Sequence, residues 1–244
     1  MIDPVHGRRR EDGHDLSFLW WRPDAPLRSV SSALVGGGIG PLGWFLNAQV
    51  HPGYDRRDPA QHVMELAQTA GLNGAGVGML TAVDVATAEC DEDGGVCVVG
   101  TVGLGQPTWA AAPPERISPG ADGRGSHGPT PIGTINLLVV IPDQLDDGCL
   151  VNLLATATEA KVQALFDAGV PATGTASDAI CVAGYPMQVQ HRGFGDGRES
   201  FGGPRSYWGS RTARAVYRVV RRGAVADTER AIARGWPRPS LHSG

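Results

Sequence analysis

The clearest alternation of apolar and polar stretches lies in the second half of the chain. An apolar, β-branched run at 135–141 has the length of a strand buried on both faces, and Pro142 is expected to end it. Aspartates within 143–147 supply N-cap side chains for a helix that runs to Ala168 before a glycine stops it. A second apolar run follows at 179–183. The pattern predicts a strand, a long helix and a strand packed as one unit.

The remaining apolar runs predict further strands and two more helices. Strands are expected at 28–35, 76–81, 84–88 and 96–102, with a Gly94-Gly95 hairpin before the last and the continuity of 76–88 left open. Asp58-Pro59 opens a helix that Gly71 ends, and an amphipathic pattern from Ser210 predicts the last helix. This order favours an α/β fold, a layered sandwich of mixed β-sheet with packed helices in a single domain.

Composition sets the bounds of that domain. Residues 1–14 are charged and lack an apolar pattern, so they are expected to form a flexible N-terminal arm before an α/β domain at 15–234. Inside this domain, residues 103–132 are rich in Gly and Pro. This composition predicts a loop, in which His127 is expected to be exposed. Residues 235–244 are expected to form a loose tail.

Charge and cysteine content exclude several classes of function. A net charge of −4 over 244 residues, with no basic block, argues against a nucleic-acid partner. No apolar run has the length of a membrane span and the N-terminus has no signal-like apolar segment, so we expect a cytoplasmic protein without a membrane partner. The cysteines form no CxxC pair, and Cys149 and Cys181 are expected to be buried thiols. These properties predict no metal site and are compatible with a homo-oligomer.

One glycine pattern matches a dinucleotide-binding motif, but the residues that follow it argue against such a site. GIGPLG at 38–43 matches G-x-G-x-x-G after a predicted strand. A dinucleotide site needs a long helix directly after the glycines. Here Pro41 interrupts the loop, and HPG at 51–53 closes the next segment after a few residues. A glycine loop that lets a ligand or another strand approach closely is therefore favoured.

Lys161 is the only lysine in the chain, against twenty arginines, and it lies in the middle of the apolar stripe of the long helix. An ammonium group there must be paired or must lose its proton. One interpretation is a lysine whose ammonium bends to the helix edge and stays in water. The other is a polar site at the foot of the helix, with Asp178 as the expected partner of Lys161.

The segment between that helix and the second strand is small and rich in hydroxyls. It reads ATGTASD at 172–178. Such a loop brings backbone N–H groups and hydroxyls close to a bound group without bulky side chains in the way. An ordinary tight turn explains the composition equally well.

Three strings in the order GTIN at 133–136, TEAK at 158–161 and TGTxSDAI at 173–180 resemble the adenosylcobinamide amidohydrolase family of cobamide-salvage enzymes. The resemblance extends over about residues 30–225. It departs from the family at Val83-Asp84, where alanine is expected before the aspartate, and in the Gly/Pro-rich insertion after Ala110. The further stretches that carry it are Gly36-Gly37-Gly38, Asn47, Asp58-Pro59, Gly76-Val77-Gly78, Thr81-Ala82, Thr101-Val102-Gly103 and Pro107-Thr108-Trp109-Ala110.

The resemblance implies an enzyme that hydrolyses the amide joining aminopropanol to the corrin side chain of adenosylcobinamide, giving adenosylcobyric acid in cobamide (vitamin B12) salvage. Amide hydrolysis needs a nucleophile or activated water, a proton donor for the amine and donors for the oxyanion. No cofactor is expected, since the only cobalt belongs to the corrinoid substrate. The predicted catalytic residues are Thr134, Lys161, Asp178 and Asn136, and the predicted substrate-binding residues are Gly37, Gly38, Asn47, Thr81, Glu159, Thr173, Gly174 and Thr175.

Two alternatives concern what the site does. A corrinoid carrier or sensor would keep the pocket without the chemistry, although a pure binder has no need of a hydroxyl and a paired lysine in the core unit. A second, weaker resemblance bears on the nucleophile. Gly133-Thr134 before an apolar strand is similar to the junction at which self-processing β-peptidyl aminopeptidases and ornithine acetyltransferases cut themselves. There the freed α-amine can act as base for its own hydroxyl. The alternative is that Thr134 is an ordinary strand-entry residue.

Overall fold

The computed structural model describes residues 2–113, 133–186 and 200–235. Strands and helices alternate in the predicted order. The strands are β1 Val5–Glu11, β2 His14–Trp21, β3 Leu27–Ser31, β4 Gly38–Leu42, β5 Phe45–Gln49, β6 Val77–Thr81, β7 Glu89–Asp93, β8 Val96–Val102, β9 Ile135–Leu145 and β10 Ala179–Pro186. The helices are α1 Pro59–Thr69, α2 Asp147–Asp167 and α3 Tyr207–Ala233, with a short 3₁₀ turn at Val85–Thr87.

The strands form two sheets that lie face to face. One sheet has the order β1-β2-β5-β6 and the other the order β4-β3-β10-β9-β8-β7. Helices α2 and α3 cover the outer face of the six-stranded sheet, and α1 covers the outer face of the four-stranded sheet. The apolar side chains between the two sheets form a third core. The molecule is therefore an α/β sandwich of four layers, which confirms the predicted fold class.

Two parallel strand pairs explain where α1 and α2 lie. β9 pairs with β10 in parallel, and β5 pairs with β6 in parallel. Neighbouring parallel strands need a long crossover connection, normally a helix. In β9, Ile135, Leu137 and Val139 face α2 and α3, whereas Leu138 faces the four-stranded sheet. Both faces of this strand are buried, as its unbroken apolar run predicts.

The ends of the long helix follow from its sequence. Asp146 caps the N-terminus of α2, its side chain accepting a hydrogen bond from Cys149 N at 2.7 Å. Ala168 is the C-cap, and Gly169 follows it with a positive φ of 77°. α1 begins at the predicted place, but Asp58 makes no side-chain cap. Its carboxylate binds the Arg56 guanidinium instead, at 2.9 and 3.0 Å.

The first 14 residues differ from the flexible arm expected from their charge. β1 pairs with β2 along its whole length, and Asp12 and Gly13 turn the hairpin with positive φ of 49° and 80°. Arg9 points inward and donates to Glu11 at 2.7 Å and to the Gln49 carbonyl at 2.6 Å. The strand forms because its inward charges are paired, which an apolar pattern does not reveal.

Other boundaries were also predicted wrongly, and β3 ends at Ser31 instead of residue 35. β9 continues through Pro142, which is tolerated because the pairing of β9 with β8 stops at Val140 and β10 has a register shift after Ala183. Residues 38–42 form the strand β4 instead of a loop. Residues 85–87 form a 3₁₀ turn instead of a strand, because the Asp84 side chain accepts a bond from Ala86 N. His127, most of the loop predicted at 103–132 and the end of the tail, 236–244, lie outside the described residues.

Candidate active site

Lys161 points from α2 toward the end of the six-stranded sheet at which β9 and β10 begin. Its Nζ lies 2.5 Å from Asp178 Oδ2, and the two side chains are only 8% and 10% exposed. The lysine therefore does not reach solvent from the helix edge. It forms a nearly buried ion pair with the partner that the sequence analysis names.

The Asp178 carboxylate is saturated with hydrogen bonds. Oδ2 also accepts from Thr175 N at 3.1 Å, and Oδ1 accepts from Thr175 Oγ1 at 2.6 Å and from Ile135 N at 3.0 Å. Together with Lys161, four donors occupy the roughly four lone-pair positions of a carboxylate. The ion pair thus joins α2, the 172–178 loop and the first residue of β9.

Gly174 makes this arrangement possible. A Cβ atom at this position would lie 2.6 Å from Lys161 Nζ and would overlap Asp178 Oδ2. The glycine in the TGT string is therefore required by the close approach of the backbone to the ion pair.

Two hydroxyls meet on the other side of the same edge. Thr134 Oγ1 and Ser177 Oγ are hydrogen-bonded to each other. Thr134 is 3% exposed and stands directly before β9, whereas Ser177 is exposed and precedes β10 by two residues. We call the end of the sheet at which β9 and β10 begin, marked by Thr134 and Ser177, the hydroxyl edge. The parallel pairing of β9 with β10 brings the two hydroxyls together across 43 residues of sequence.

Asn136 belongs to a buried polar chain between the two sheets. Its Nδ2 donates to Asn47 Oδ1 at 2.8 Å and to the Leu80 carbonyl at 3.0 Å. Asn47 Nδ2 in turn donates to Thr101 Oγ1 at 3.0 Å. Both N–H bonds of Asn136 are thus used within the protein, while its buried Oδ1 has no hydrogen-bond partner among the residues that the structure describes. This geometry does not supply the oxyanion donor expected of Asn136.

The glycine segment lies beside the hydroxyl edge. Ser32 N donates to the Ile180 carbonyl at 3.0 Å, and Val35 forms a bridge with Gly78 of β6. The chain therefore crosses from one sheet to the other at this edge before it reaches Gly37 and Gly38, both exposed. Gly38 has φ of 88°. This placement is compatible with the close approach predicted for the glycines.

The hydroxyls of Thr173 and Thr81 form hydrogen bonds with backbone groups. Thr173 N and Oγ1 both donate to the Thr108 carbonyl, at 3.1 and 3.2 Å, and Thr173 Oγ1 also accepts from Ala110 N at 2.8 Å. Thr81 Oγ1 accepts from Val83 N at 3.1 Å, close to the end of β6. Thr173 thereby holds residues 107–110 against the hydroxyl edge. These residues are the PTWA string that contributes to the family resemblance.

Glu159 lies apart from these groups. It is exposed on α2, and its position is about 160° around the helix from Lys161, at about 100° per residue. The structure does not bring Glu159 to the ion pair or to the two hydroxyls.

Sequence reasoning did not single out Ser177 and Thr101. Ser177 was visible inside the string TGTxSDAI, and Thr101 inside TVG, but neither hydroxyl has a partner nearby in sequence. Only the pairing of β10, β9 and β8 brings them to Thr134 and Asn136.

The described part of the chain also bears on metal binding and membrane spanning. Among residues 2–113, 133–186 and 200–235, no group of three or more His, Cys, Asp or Glu side chains is placed to hold a metal ion. None of the three helices in those ranges combines the length and the apolar character that crossing a membrane requires.

Residues 2–232 match the family described as adenosylcobinamide amidohydrolase. A protein of that name from Methanosarcina mazei is 29% identical over 157 residues, which cover 64% of this chain and 69% of the archaeal protein. A protein of the same name from Halobacterium salinarum is 40% identical over 106 residues, 43% of each chain. Among solved structures, the L-aminopeptidase D-Ala-esterase/amidase from Ochrobactrum anthropi, described as a variant of the Ntn hydrolase fold, is 12% identical. That comparison has a TM-score of 0.38 and covers 93% of this chain and 82% of the other.

Proposed function

The chain belongs to the adenosylcobinamide amidohydrolase family, and from this premise we propose that it hydrolyses the side-chain amide of adenosylcobinamide in cobamide salvage. The products are adenosylcobyric acid and aminopropanol. The family match spans residues 2–232, and proteins of that name from two archaea align with 64% and 43% of the chain.

The observation that carries the mechanism is the hydroxyl pair. We infer that Thr134 is the nucleophile and that Ser177, hydrogen-bonded to it, relays its proton. Thr134 lies directly before a buried strand, whereas Ser177 is exposed. A hydroxyl fixed on a strand and bonded to a second hydroxyl is suited to acyl transfer to oxygen.

The proposed reaction has two steps. Thr134 Oγ attacks the amide carbonyl, the C–N bond breaks, and the hydroxyl proton ends on the nitrogen of the departing aminopropanol. Water then attacks the resulting ester, which releases the carboxylic acid and restores the Thr134 hydroxyl. The candidate oxyanion donors are backbone N–H groups of the 172–178 loop other than those of Ala172, Thr173 and Thr175, because those three and both N–H bonds of Asn136 are already used.

Lys161 and Asp178 are positioning residues in this proposal. Their bonds run to Ile135 N and to Thr175, which neighbour the two hydroxyls along the chain. The ion pair fixes the distance between the start of β9 and the loop before β10. Good orientation of the reacting groups can lower the activation barrier by several kcal/mol, and small misplacements are costly.

The experiment that tests the function is mass spectrometry of adenosylcobinamide incubated with the purified full chain. The expected result is conversion to adenosylcobyric acid with release of one equivalent of aminopropanol. A carrier or sensor returns the corrinoid unchanged, and that outcome would overturn the proposal. Repeating the assay after dialysis against a chelator tests the expectation that no added metal is needed.

Variants of the two hydroxyls test the roles. Thr134→Ala is expected to abolish turnover, whereas Thr134→Ser keeps the hydroxyl and is expected to retain a measurable rate. Ser177→Ala is expected to lower kcat while leaving some activity. If Ser177→Ala is inactive and Thr134→Ala active, then Ser177 is the nucleophile and the assignment is reversed.

A further inference from the structure

Three apolar side chains are exposed around the hydroxyl edge. Leu34 is 51% exposed, Trp109 is 40% exposed and Phe166 is 45% exposed. Each belongs to a segment that is fixed to this edge of the six-stranded sheet or to the adjoining end of α2. Large apolar groups left in water beside a reaction site often mark a binding surface.

Trp109 is held rigidly despite its exposure. The residues on both sides are hydrogen-bonded to the loop, Thr108 N to the Gly174 carbonyl and Ala110 N to Thr173 Oγ1, each at 2.8 Å. Gly174 is the residue that packs against Lys161 and Asp178. The indole is thus attached to the same loop that shapes the proposed active site.

Phe166 supports the indole from the end of α2. The two rings are 5.5 Å apart between centroids and tilted by 58°. This separation lies in the range of favourable aromatic pairs. The pair presents a preformed aromatic surface with little side-chain freedom left to lose when a ligand binds.

Leu34 lies on the other flank of the hydroxyl edge. β3 is antiparallel to β10, with Ser31 opposite Cys181, so the chain leaving β3 moves toward the start of β10. Ser32 pairs with Ile180, and Val35 has already reached Gly78 of the other sheet. Leu34 therefore lies in the crossing between the two sheets, just after the residue that pairs with Ile180.

We propose that Trp109, supported by Phe166 and aided by Leu34 across the edge, binds the corrin macrocycle and thereby sets the specificity for corrinoid amides. This inference rests on the proposed function. The amide to be cut is on a side chain at the rim of a large ring, so the ring must lie just outside the site when the amide reaches Thr134. Aromatic and aliphatic side chains contribute most of the affinity for such an apolar ring system.

Binding is measured first without turnover. In a Thr134→Ala background, equilibrium dialysis with adenosylcobinamide is expected to show about a tenfold weaker Kd when Trp109 is replaced by Ala, with partial recovery for Trp109→Phe. Phe201→Ala is the matched control, because Phe201 is 74% exposed and lies near the start of α2, at the opposite edge of the sheet. It should leave Kd unchanged. Equal affinity of the Trp109→Ala protein and its parent would overturn the inference.

Turnover then separates ring binding from a structural effect. With Thr134 restored, Trp109→Ala should raise KM for adenosylcobinamide about tenfold and leave kcat nearly unchanged, as expected when uniform binding is lost. The small amide of propionic acid and aminopropanol has no macrocycle, so its kcat/KM should not change. An equal loss on both substrates would mean that Trp109 shapes the site, and the inference would be wrong.

The two proposals fail in different ways. If the wild-type chain binds adenosylcobinamide through Trp109 but returns it intact, the hydrolase proposal is wrong and the ring-binding surface stands. If the chain hydrolyses adenosylcobinamide and Trp109→Ala binds it as tightly as its parent, the hydrolase stands and the surface is wrong.

Discussion

Asp178 Oδ1 accepts a hydrogen bond from Ile135 N at 3.0 Å, so the carboxylate that Lys161 holds is attached to the first residue of β9. The residue before Ile135 is Thr134. A charge pair that comes from a helix and a loop therefore sets the position of the proposed nucleophile through its backbone neighbour. This relationship gives the lone lysine a role that does not require contact with the substrate.

We expect Lys161→Met to lose activity and to lower the free energy of unfolding by about 3–5 kcal/mol, because it leaves a nearly buried carboxylate without its cation. The double variant Lys161→Met/Asp178→Asn should recover part of that stability, since no unpaired charge remains, but not the activity. Denaturant unfolding and the corrinoid assay measure the two effects separately.

A matched control for this pair is Arg28→Met. Arg28 binds Asp147 at 2.9 Å, but these side chains are 38% and 54% exposed. Its loss should change the free energy of unfolding little, because exposed ion pairs contribute little. Near wild-type turnover by Lys161→Met would refute the positioning role.

Gly174→Ala tests the packing against the ion pair. The added methyl group would meet Lys161 Nζ at 2.6 Å and would overlap Asp178 Oδ2, so the loop or the lysine must move. A displacement of this size is expected to lower kcat/KM roughly a hundredfold. Gly40→Ala is the control, because a Cβ there meets no atom within 4 Å. Equal activities of the two variants would contradict the close approach inferred at Gly174.

The sequence predicts α2 and β8 well because their patterns are local. α2 was expected to end at Ala168 and ends at Asp167, and β8 was expected at 96–102 and spans Val96–Val102. A buried strand and a capped helix each depend on neighbouring residues, and their apolar runs are unambiguous. β1 was missed because its inward side chains include Arg9, which is paired to groups distant in sequence.

The candidate site was only partly predictable, and the reason is again the range of the contacts. Lys161 was found because a single charge on an apolar stripe is a local anomaly. The bond between Thr134 and Ser177 depends on which two strands lie side by side and in which register. The use of both Asn136 N–H bonds depends on the stacking of one sheet on the other. Neither arrangement can be read from residue spacing.

His62 should make folding stability depend on pH. It is 2% exposed; its Nδ1 lies 3.0 Å from the Tyr54 hydroxyl and its Nε2 lies 3.0 Å from Glu11. Burial lowers the pKa of His62 below its usual 6.5, Glu11 acts in the opposite direction, and the net shift is downward. The nearby charges that also act on it are those of Arg56, Arg9 and Glu65.

The sign follows from proton binding in the two states. Below about pH 6.5 the unfolded chain protonates this histidine more readily than the folded chain does, so stability should fall as pH drops through that window. His62→Gln cannot titrate, so the difference in unfolding free energy between wild type and variant should shrink from about pH 7 to about pH 5. A constant difference across that range would show that His62 does not contribute to the pH dependence.

The last prediction concerns the bond between Gly133 and Thr134. Thr134 is 3% exposed in the intact chain, and the Gly133 backbone packs closely against Gly103 and Gly105. In the continuous chain this hydroxyl is therefore nearly buried beside Gly133. Cleavage at this bond would give Thr134 an α-amine with a pKa of about 8, suited to act as base for its own hydroxyl.

We therefore expect intact-mass analysis of active protein to show two fragments, residues 1–133 and 134–244, with Thr134 as the new N-terminus. Thr134→Ala should remain one chain, because it lacks the hydroxyl that would attack the preceding carbonyl. Gly40→Ala, altered far from the junction, should be cut as the wild type is. An uncut wild-type chain with full activity would remove self-processing from the mechanism. It would leave Thr134 to act within the continuous chain, where Ser177 is the hydroxyl bonded to it.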